Sequence, residues 1–160
     1  MSDMIRDVLS KRTREIGVWW KDGMFYPSGA EELDKSLIGD TLTWLKDYPS
    51  VEKYYRMALD RYKEPKSLAD VMTNCYKAVE GMAQNILGND KNLDKNRNAL
   101  LARIGLSDKW KAVVANYVAY MHDHRHTRTK NRYDIAPQEV EACLYLTGLI
   151  IRLAIRSTES

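Results

Sequence analysis

The sequence predicts an all-α protein, a bundle of about six or seven helices. Apolar residues recur three and four positions apart along most of the 160 residues, which is the spacing of one helix face. Proline, glycine and serine stand between these segments, and we find neither a strand pattern nor an internal repeat. Helices of this kind, joined by short connections, pack as a bundle.

The composition is that of a globular domain. The chain is 44% hydrophobic and 29% charged, with a net charge of +3, and this weak positive charge does not by itself indicate a nucleic-acid partner. Cys75 and Cys143 each fall within an apolar helical pattern, which predicts two buried free thiols in a reducing compartment. No stretch has the apolar length of a signal peptide or a membrane span. We therefore expect a cytoplasmic protein with no membrane partner.

Residues 1–66 are predicted to form an N-terminal helical extension. After a short first helix, the segment Val18–Ala30 holds aromatic residues, two glycines and a proline, which favours an ordered loop. The next helix, about Glu31–Asp47, ends because Pro49 disfavours the helical conformation in the residue before it. Ser50 is the predicted cap of a third helix.

Residues 67–160 are predicted to form the main bundle, and the two parts together make one compact unit. The clearest helix covers residues 67–87 and ends at Gly88, a residue that suits a helix stop. Three more helices follow: a short one that ends at Arg103, one capped by Ser107, and a last one from Pro137 to about Arg156.

Two of these helices carry apolar stripes that predict what they contact. The stripe after Ser107 consists of Trp110, Val113, Val114, Tyr117, Val118 and Met121. The last helix has one stripe of Val140, Leu144, Thr147, Ile151 and Ile155, and a second of Ala142, Leu146, Leu149 and Leu153. A helix that is apolar on two sides is buried on two sides. The second stripe therefore packs either inside the bundle or against a second subunit.

One stretch, "YMHDHRHTRTKNRYD", concentrates the residues that carry chemistry. It contains His122, His124, His126, Arg125, Arg128, Lys130 and Arg132. His122 and His126 are one helical turn apart, but the glutamate of an HExxH zinc site is missing between them. We therefore expect no metal and no other cofactor. Histidine suits proton transfer near neutral pH and arginine suits phosphate oxygens, so the stretch could bind anions, cleave RNA or form a solvated helix end.

The order of motifs resembles the HEPN superfamily, in particular the abortive-infection type of bacterial phage-defence proteins. The resemblance lies in "KAVEGMAQNIL" at the end of one helix, the pair "RH" at the end of the penultimate long helix, and the acidic start "PQEVEA" of a long apolar helix. It covers residues 67–156, and residues 18–66 less specifically. It implies an all-α fold of four or five helices that usually dimerises around the motif, and many such proteins are metal-independent ribonucleases.

The same resemblance implies roles for individual residues. The family motif is Arg-x4–6-His, in which Arg125 fits the arginine and His126 the polar position after it. The catalytic histidine would fall at residues 130–132, which read Lys-Asn-Arg, so the motif is degenerate. His126 or His122 are the candidates to replace it, and Glu80 could orient Arg125.

Two functions follow from these assignments. The first is a nucleic-acid- or partner-binding domain of a bacterial abortive-infection or toxin–antitoxin system, using the basic residues Arg128, Lys130 and Arg132. The alternative is an active metal-independent endoribonuclease that uses Arg125 with His122 or His126. The expected partners are RNA or a nucleotide, an antitoxin or other defence protein, and a second copy of the chain bound through the last helix.

Overall fold

The chain forms two compact units, Met1–Asp40 and Thr41–Ser160. The structure, a computed structural model, describes five ranges: residues 18–21, 24–27, 38–62, 68–126 and 135–159. The predicted boundary between residues 66 and 67 falls inside the second unit. Within the described ranges, no helix is both long and apolar enough to cross a membrane.

A β-hairpin occupies the part of the first unit that the structure describes. Strand β1, Val18–Lys21, pairs antiparallel with strand β2, Met24–Pro27, and Lys21 stands opposite Met24. The prediction of an ordered loop without strands was wrong here. The two residues between the strands are Asp-Gly, flanked by β-branched and aromatic residues, which is a strong hairpin signal. The predicted first helix and residues 31–37 lie outside the described residues.

The second unit is a bundle of helices, as predicted. Its described helices are α1 (Asp40–Trp44, continued by a 3-10 turn at Leu45–Asp47), α2 (Pro49–Tyr62), α3 (Leu68–Leu87), α4 (Leu93–Ile104), α5 (Asp108–His126) and α6 (Pro137–Arg156). The sequence pattern therefore gave the correct number and order of the long helices. The bounds of α2, α3 and α6 lie within two residues of the predicted ones, whereas α1 begins only at Asp40, inside the helix predicted over about Glu31–Asp47.

Proline and glycine set several of these bounds. Tyr48 has a non-helical backbone, with φ −128° and ψ 65°, and its carbonyl accepts a hydrogen bond of 3.0 Å from the N–H of Glu52. Pro49 is thus the first helical residue, a position where its missing N–H costs nothing. Ser50 lies inside the first turn, so its prediction as a cap was wrong. Gly88 has φ 63° after α3, as a helix stop requires.

Helix α3 is the central helix of the bundle and packs against α2, α4, α5 and α6. The following residues of its apolar face are fully buried: Val71, Met72, Cys75, Val79 and Met82. Helix α2 packs against Gly81, where a Cβ atom would stand 3.3 Å from Cγ2 of Val51. Glycine at this position therefore leaves room for the side chain of Val51.

The predicted stripes of α5 and α6 are confirmed in part. Val114, Tyr117, Val118 and Met121 of α5 are buried, as is the whole first stripe of α6: Val140, Leu144, Thr147, Ile151 and Ile155. Trp110 and Val113 are exceptions, with 52% and 46% of their surfaces exposed. Both precede the first buried position of α5, in the turns before the helix reaches the core. In the second stripe of α6, Ala142 is exposed, and the three leucines are half-buried.

A buried polar cluster joins three helices in the core. The hydroxyl groups of Tyr117 and Thr147 are hydrogen-bonded, and both lie against the carbonyl of Cys143, at 3.3 Å and 2.7 Å. Cys75 and Cys143 are free and buried, as predicted. Burial raises the pKa of the Cys75 thiol from its ordinary 9.0 to about 12, and burial also raises the pKa of Tyr117. These groups are therefore neutral in the folded protein near neutral pH.

Folding stability should fall as the pH rises above 9. Cys75 ionises near 9.0 in the unfolded chain but only near 12 in the folded protein. Its contribution is thus complete below pH 9 and is lost progressively between these values, by about 1 kcal/mol per pH unit. Urea unfolding at several pH values should show a shallower decline for Cys75→Ala. Val79→Ala, which removes no ionisable group, should keep the wild-type slope; equal slopes for all three proteins would contradict the assignment.

Candidate functional site

The end of helix α5 carries the first residues of the predicted site. The helix continues without interruption to His126, so His122 and Arg125 occupy successive turns of one helix. The side chains of Arg125 and His126 lie outside the described part of the structure. The same holds for three further predicted site residues: Arg128, Lys130 and Arg132. His122, His124 and Glu80 can be placed in full.

His122 faces helix α4, where it meets a carboxylate. Its Nδ1 lies 3.3 Å from Oδ2 of Asp94, close enough for an ion pair but without the alignment of a good hydrogen bond. The hydroxyl of Tyr76 donates to the same Oδ2 at 3.4 Å, and the Tyr76 and His122 rings are 5.9 Å apart. His122 is thus held beside both Asp94 and Tyr76.

Glu80 of helix α3 holds the start of helix α4. Its Oε2 accepts a hydrogen bond of 2.9 Å from the N–H of Leu93, the first residue of α4. Asn92 caps the same helix by accepting from the N–H of Lys95 at 3.2 Å. These bonds satisfy backbone donors that a helix start leaves unpaired. Glu80 thereby fixes the residue directly before Asp94, and its predicted contact with Arg125 stays a prediction.

The connection between α3 and α4 is held by side-chain amides. Nε2 of Gln84 donates to the carbonyls of Asp90 and Lys91, at 3.3 Å and 3.1 Å. Nδ2 of Asn96 donates to Oδ1 of Asn89 at 2.8 Å and to the Lys91 carbonyl at 3.0 Å. Backbone groups of a loop that are satisfied in this way have one preferred arrangement. The direction in which α4 leaves α3 is therefore set by specific bonds.

Tyr76, Glu80 and Gln84 are spaced four residues apart, so they form a row along one side of α3. Each member of this polar row binds a different part of the segment from residue 90 to residue 94. The sequence pattern did not single out Tyr76 or Asp94. The spacing of four residues along α3 is visible in the sequence. The residues that this row contacts lie on the next segment of the chain and cannot be inferred from that spacing.

His124 belongs to a different side of α5. Its ring packs edge-on against Tyr120, with centroids 4.3 Å apart. The hydroxyl of Tyr120 donates to Oε2 of Glu139 at 2.8 Å, and burial together with this bond raises the pKa of Tyr120. His124 therefore lies on the side of α5 that contacts α6, whereas His122 faces α4. Among the residues that the structure describes, no group of three or more His, Cys, Asp or Glu could hold a metal ion.

Comparisons with known proteins assign no role to these residues. No family model, no curated protein and no solved structure matches the chain.

Replacing Glu80 should weaken the attachment of α4. Glu80→Ala removes the acceptor of the Leu93 N–H, and we expect the free energy of unfolding to fall by about 1 kcal/mol. Glu80→Gln keeps an oxygen acceptor and should lose clearly less. Urea unfolding measures both, and Glu52→Ala, which removes a carboxylate from an exposed pair with Arg56, is the control. A loss no larger than that of this control would show that the bond is not needed.

Proposed function

We propose that the chain is an RNA-binding module of the HEPN-like kind, from a bacterial abortive-infection or toxin–antitoxin system. Arg125 is its main phosphate-binding residue, supported by Arg128, Lys130 and Arg132. The observation that carries the proposal is the unbroken course of α5, which puts Arg125 one turn beyond the half-buried His122. The contact of His122 with Asp94 holds this turn of α5 in place, so the backbone of Arg125 is rigid. A rigid backbone lowers the entropic cost of binding a phosphate.

Electrostatics favours a phosphate over a neutral ligand at this end of α5. Four basic residues and one acidic residue occur between His122 and Arg132. Arginine matches two phosphate oxygens with its planar fork, and lysine adds a point charge. The carbonyl end of a helix repels anions by itself, so these side chains must provide the attraction.

Cleavage of RNA is a second candidate function, and the contact between His122 and Asp94 favours it. A metal-independent ribonuclease needs a base that removes the proton of a ribose 2′-OH and an acid that gives a proton to the departing 5′ oxygen. The 2′ oxygen then attacks the phosphorus while the bond from phosphorus to the 5′ oxygen breaks. A histidine beside a carboxylate is suited to this role, and Arg125 could stabilise the charge on the phosphorane. His126 is the other candidate base. The degenerate motif, with Lys-Asn-Arg at residues 130–132, argues for binding without cleavage.

The second apolar stripe of α6 supports a second copy of the chain as a partner. Leu146, Leu149 and Leu153 are half-buried, and Ala142 beside them is exposed. An apolar surface of this kind marks an interface. We propose a homodimer through α6, and an antitoxin or another defence protein as a further partner.

The variant Arg125→Ala should lose RNA binding and any cleavage without unfolding. Removal of the guanidinium abolishes its bonds to phosphate, while the helix position tolerates alanine well. Binding is measured with a fluorescent oligonucleotide, and cleavage by gel in a buffer with EDTA, because we expect no metal. Arg56→Ala, in which an exposed arginine of α2 is replaced, should behave like the wild type. If the Arg125 variant bound the oligonucleotide as tightly as the wild type, Arg125 would not be the phosphate-binding residue.

The variant Leu149→Glu should dissociate the dimer. Each buried leucine contributes about 2 kcal/mol to an interface, and a buried unpaired carboxylate adds a further penalty. Light scattering at micromolar concentration gives the mass of the wild type and the variant. Met57→Glu, which changes another apolar side chain that is 38% exposed, is the control. A monomeric wild type would refute the dimer, and a dimeric Leu149 variant would place its interface elsewhere.

A further inference from the structure

Two large apolar side chains project from the start of helix α5. About half of the surface of Trp110 and of Val113 is exposed. Among the residues that the structure describes, Met57 of α2 is the only other large apolar side chain that is exposed to this extent. Trp110 and Val113 are three residues apart, so they are neighbours on one flank of α5. An exposed apolar pair of this kind, here called the apolar projection, is typical of a protein interface.

A groove lies between the other flank of the same part of α5 and helix α4. It has a volume of about 400 Å³ and is lined by Asn98, Leu101, Ala102, Lys111, Ala112 and Ala115. Four of these six residues are apolar, and the three alanines leave space that larger side chains would fill. Trp110 directly precedes Lys111 in the chain but is not part of the lining. It therefore does not fill the groove of its own chain.

The lining of the groove matches the chemistry of a tryptophan side chain. Alanine and leucine contact the apolar surface of an indole ring, and the side-chain oxygen of Asn98 can accept a hydrogen bond from the indole N–H. The ammonium group of Lys111 lies 3.0 Å from Oδ1 of Asp108, which leaves its aliphatic stem to cover the ring. The groove is thus better suited to an aromatic side chain than to a charged ligand.

The outer face of α5 carries no charge in its middle part. Between Lys111 and Asp123, the exposed residues of the helix are Ala112, Val113, Asn116 and Ala119. Like charges that face each other across an interface cost several kcal/mol. A second copy of the same surface would meet no such repulsion here.

The apolar projection and the groove lie on opposite flanks of α5, close together along its axis. Trp110 and Ala115 are five residues apart, about 8 Å of helix. A two-fold axis through this part of α5 exchanges the two flanks, so it brings the projection of each copy to the groove of the other. The surface is therefore complementary to itself.

We propose that a second copy of the chain binds this surface, with the Trp110 side chain of each copy in the groove of the other. The interface is separate from the one proposed for α6 and does not depend on RNA binding. It is small, because only the first half of α5 and the adjacent part of α4 take part, and small interfaces are weak. We expect α6 dimers at micromolar concentration and their association into tetramers at hundreds of micromolar, because two different two-fold interfaces on one chain give a tetramer.

The test uses the variant Leu149→Glu, in which the α6 interface is disrupted. Sedimentation velocity at hundreds of micromolar should show dimers of this variant. In the same background, Trp110→Ala, which removes the aromatic ring, and Ala102→Glu, which places a carboxylate in the groove, should each raise the dissociation constant at least tenfold. The controls Met57→Ala and Ala99→Glu change exposed residues outside this surface and should alter it less than twofold. Circular dichroism verifies that each variant is folded.

A mixture of two variants tests whether the partner is a second copy. The Trp110→Ala chain keeps its groove, and the Ala102→Glu chain keeps its tryptophan. A mixed pair therefore retains one of the two contacts, whereas neither variant retains any when it pairs with itself. The mixture should associate more tightly than either variant alone.

The wild type gives a measurement that does not require Leu149→Glu. Its mass at hundreds of micromolar should exceed its mass at micromolar concentration, and Trp110→Ala should remove this difference.

Three outcomes would overturn the inference. The first is a Leu149→Glu variant that is folded and stays monomeric at hundreds of micromolar. The second is a set of dimers that Trp110→Ala and Ala102→Glu leave unchanged, because another surface would then hold them. The third is a mixture that associates no better than its components, because Trp110 would then not enter the groove of a second copy.

Discussion

Burial of helix α3 is the constraint on which the rest of the bundle depends. Four other helices pack around it, and its sequence is apolar over a wide enough arc to serve several of them. The arrangement brings α4 and α5 to one region of the same helix. Only for this reason can Asp94, in the first turn of α4, meet His122 near the end of α5. The candidate site is thus a product of packing around a third helix.

The bundle combines two kinds of interaction that do different work. Apolar burial holds the helices together but specifies their rotation and end points weakly. The polar row of α3 supplies that specification, since Tyr76, Glu80 and Gln84 each bind a different point of the segment that begins α4. The hydrogen bonds of Thr147 with Tyr117 and with the carbonyl of Cys143 specify in the same way how α5 and α6 pack in the core. Directional bonds of this sort select one arrangement among several that apolar contacts alone would allow.

Most of the helical unit was predictable from the sequence because its signals are local. The periodicity of α3 and α6, the proline that begins each of α2 and α6, and Gly88 indicated the order and the approximate bounds of the helices. The hairpin was also local, but its Asp-Gly pair was not recognised within an aromatic segment. Asp94 and the exposed Trp110 could not be predicted, because their surroundings depend on which helices pack together. The basic segment after His126 was recognisable in the sequence as a pattern of charges.

The two buried thiols have a consequence for the chemical labelling of this protein. A thiol reacts with alkylating reagents as the thiolate, and burial keeps Cys75 protonated as well as inaccessible. Modification in the native state must therefore wait for an opening of the core that exposes the sulfur. The rate of alkylation then reports how often the core around Cys75 opens. The reactivity of this thiol therefore measures local opening of the hydrophobic core.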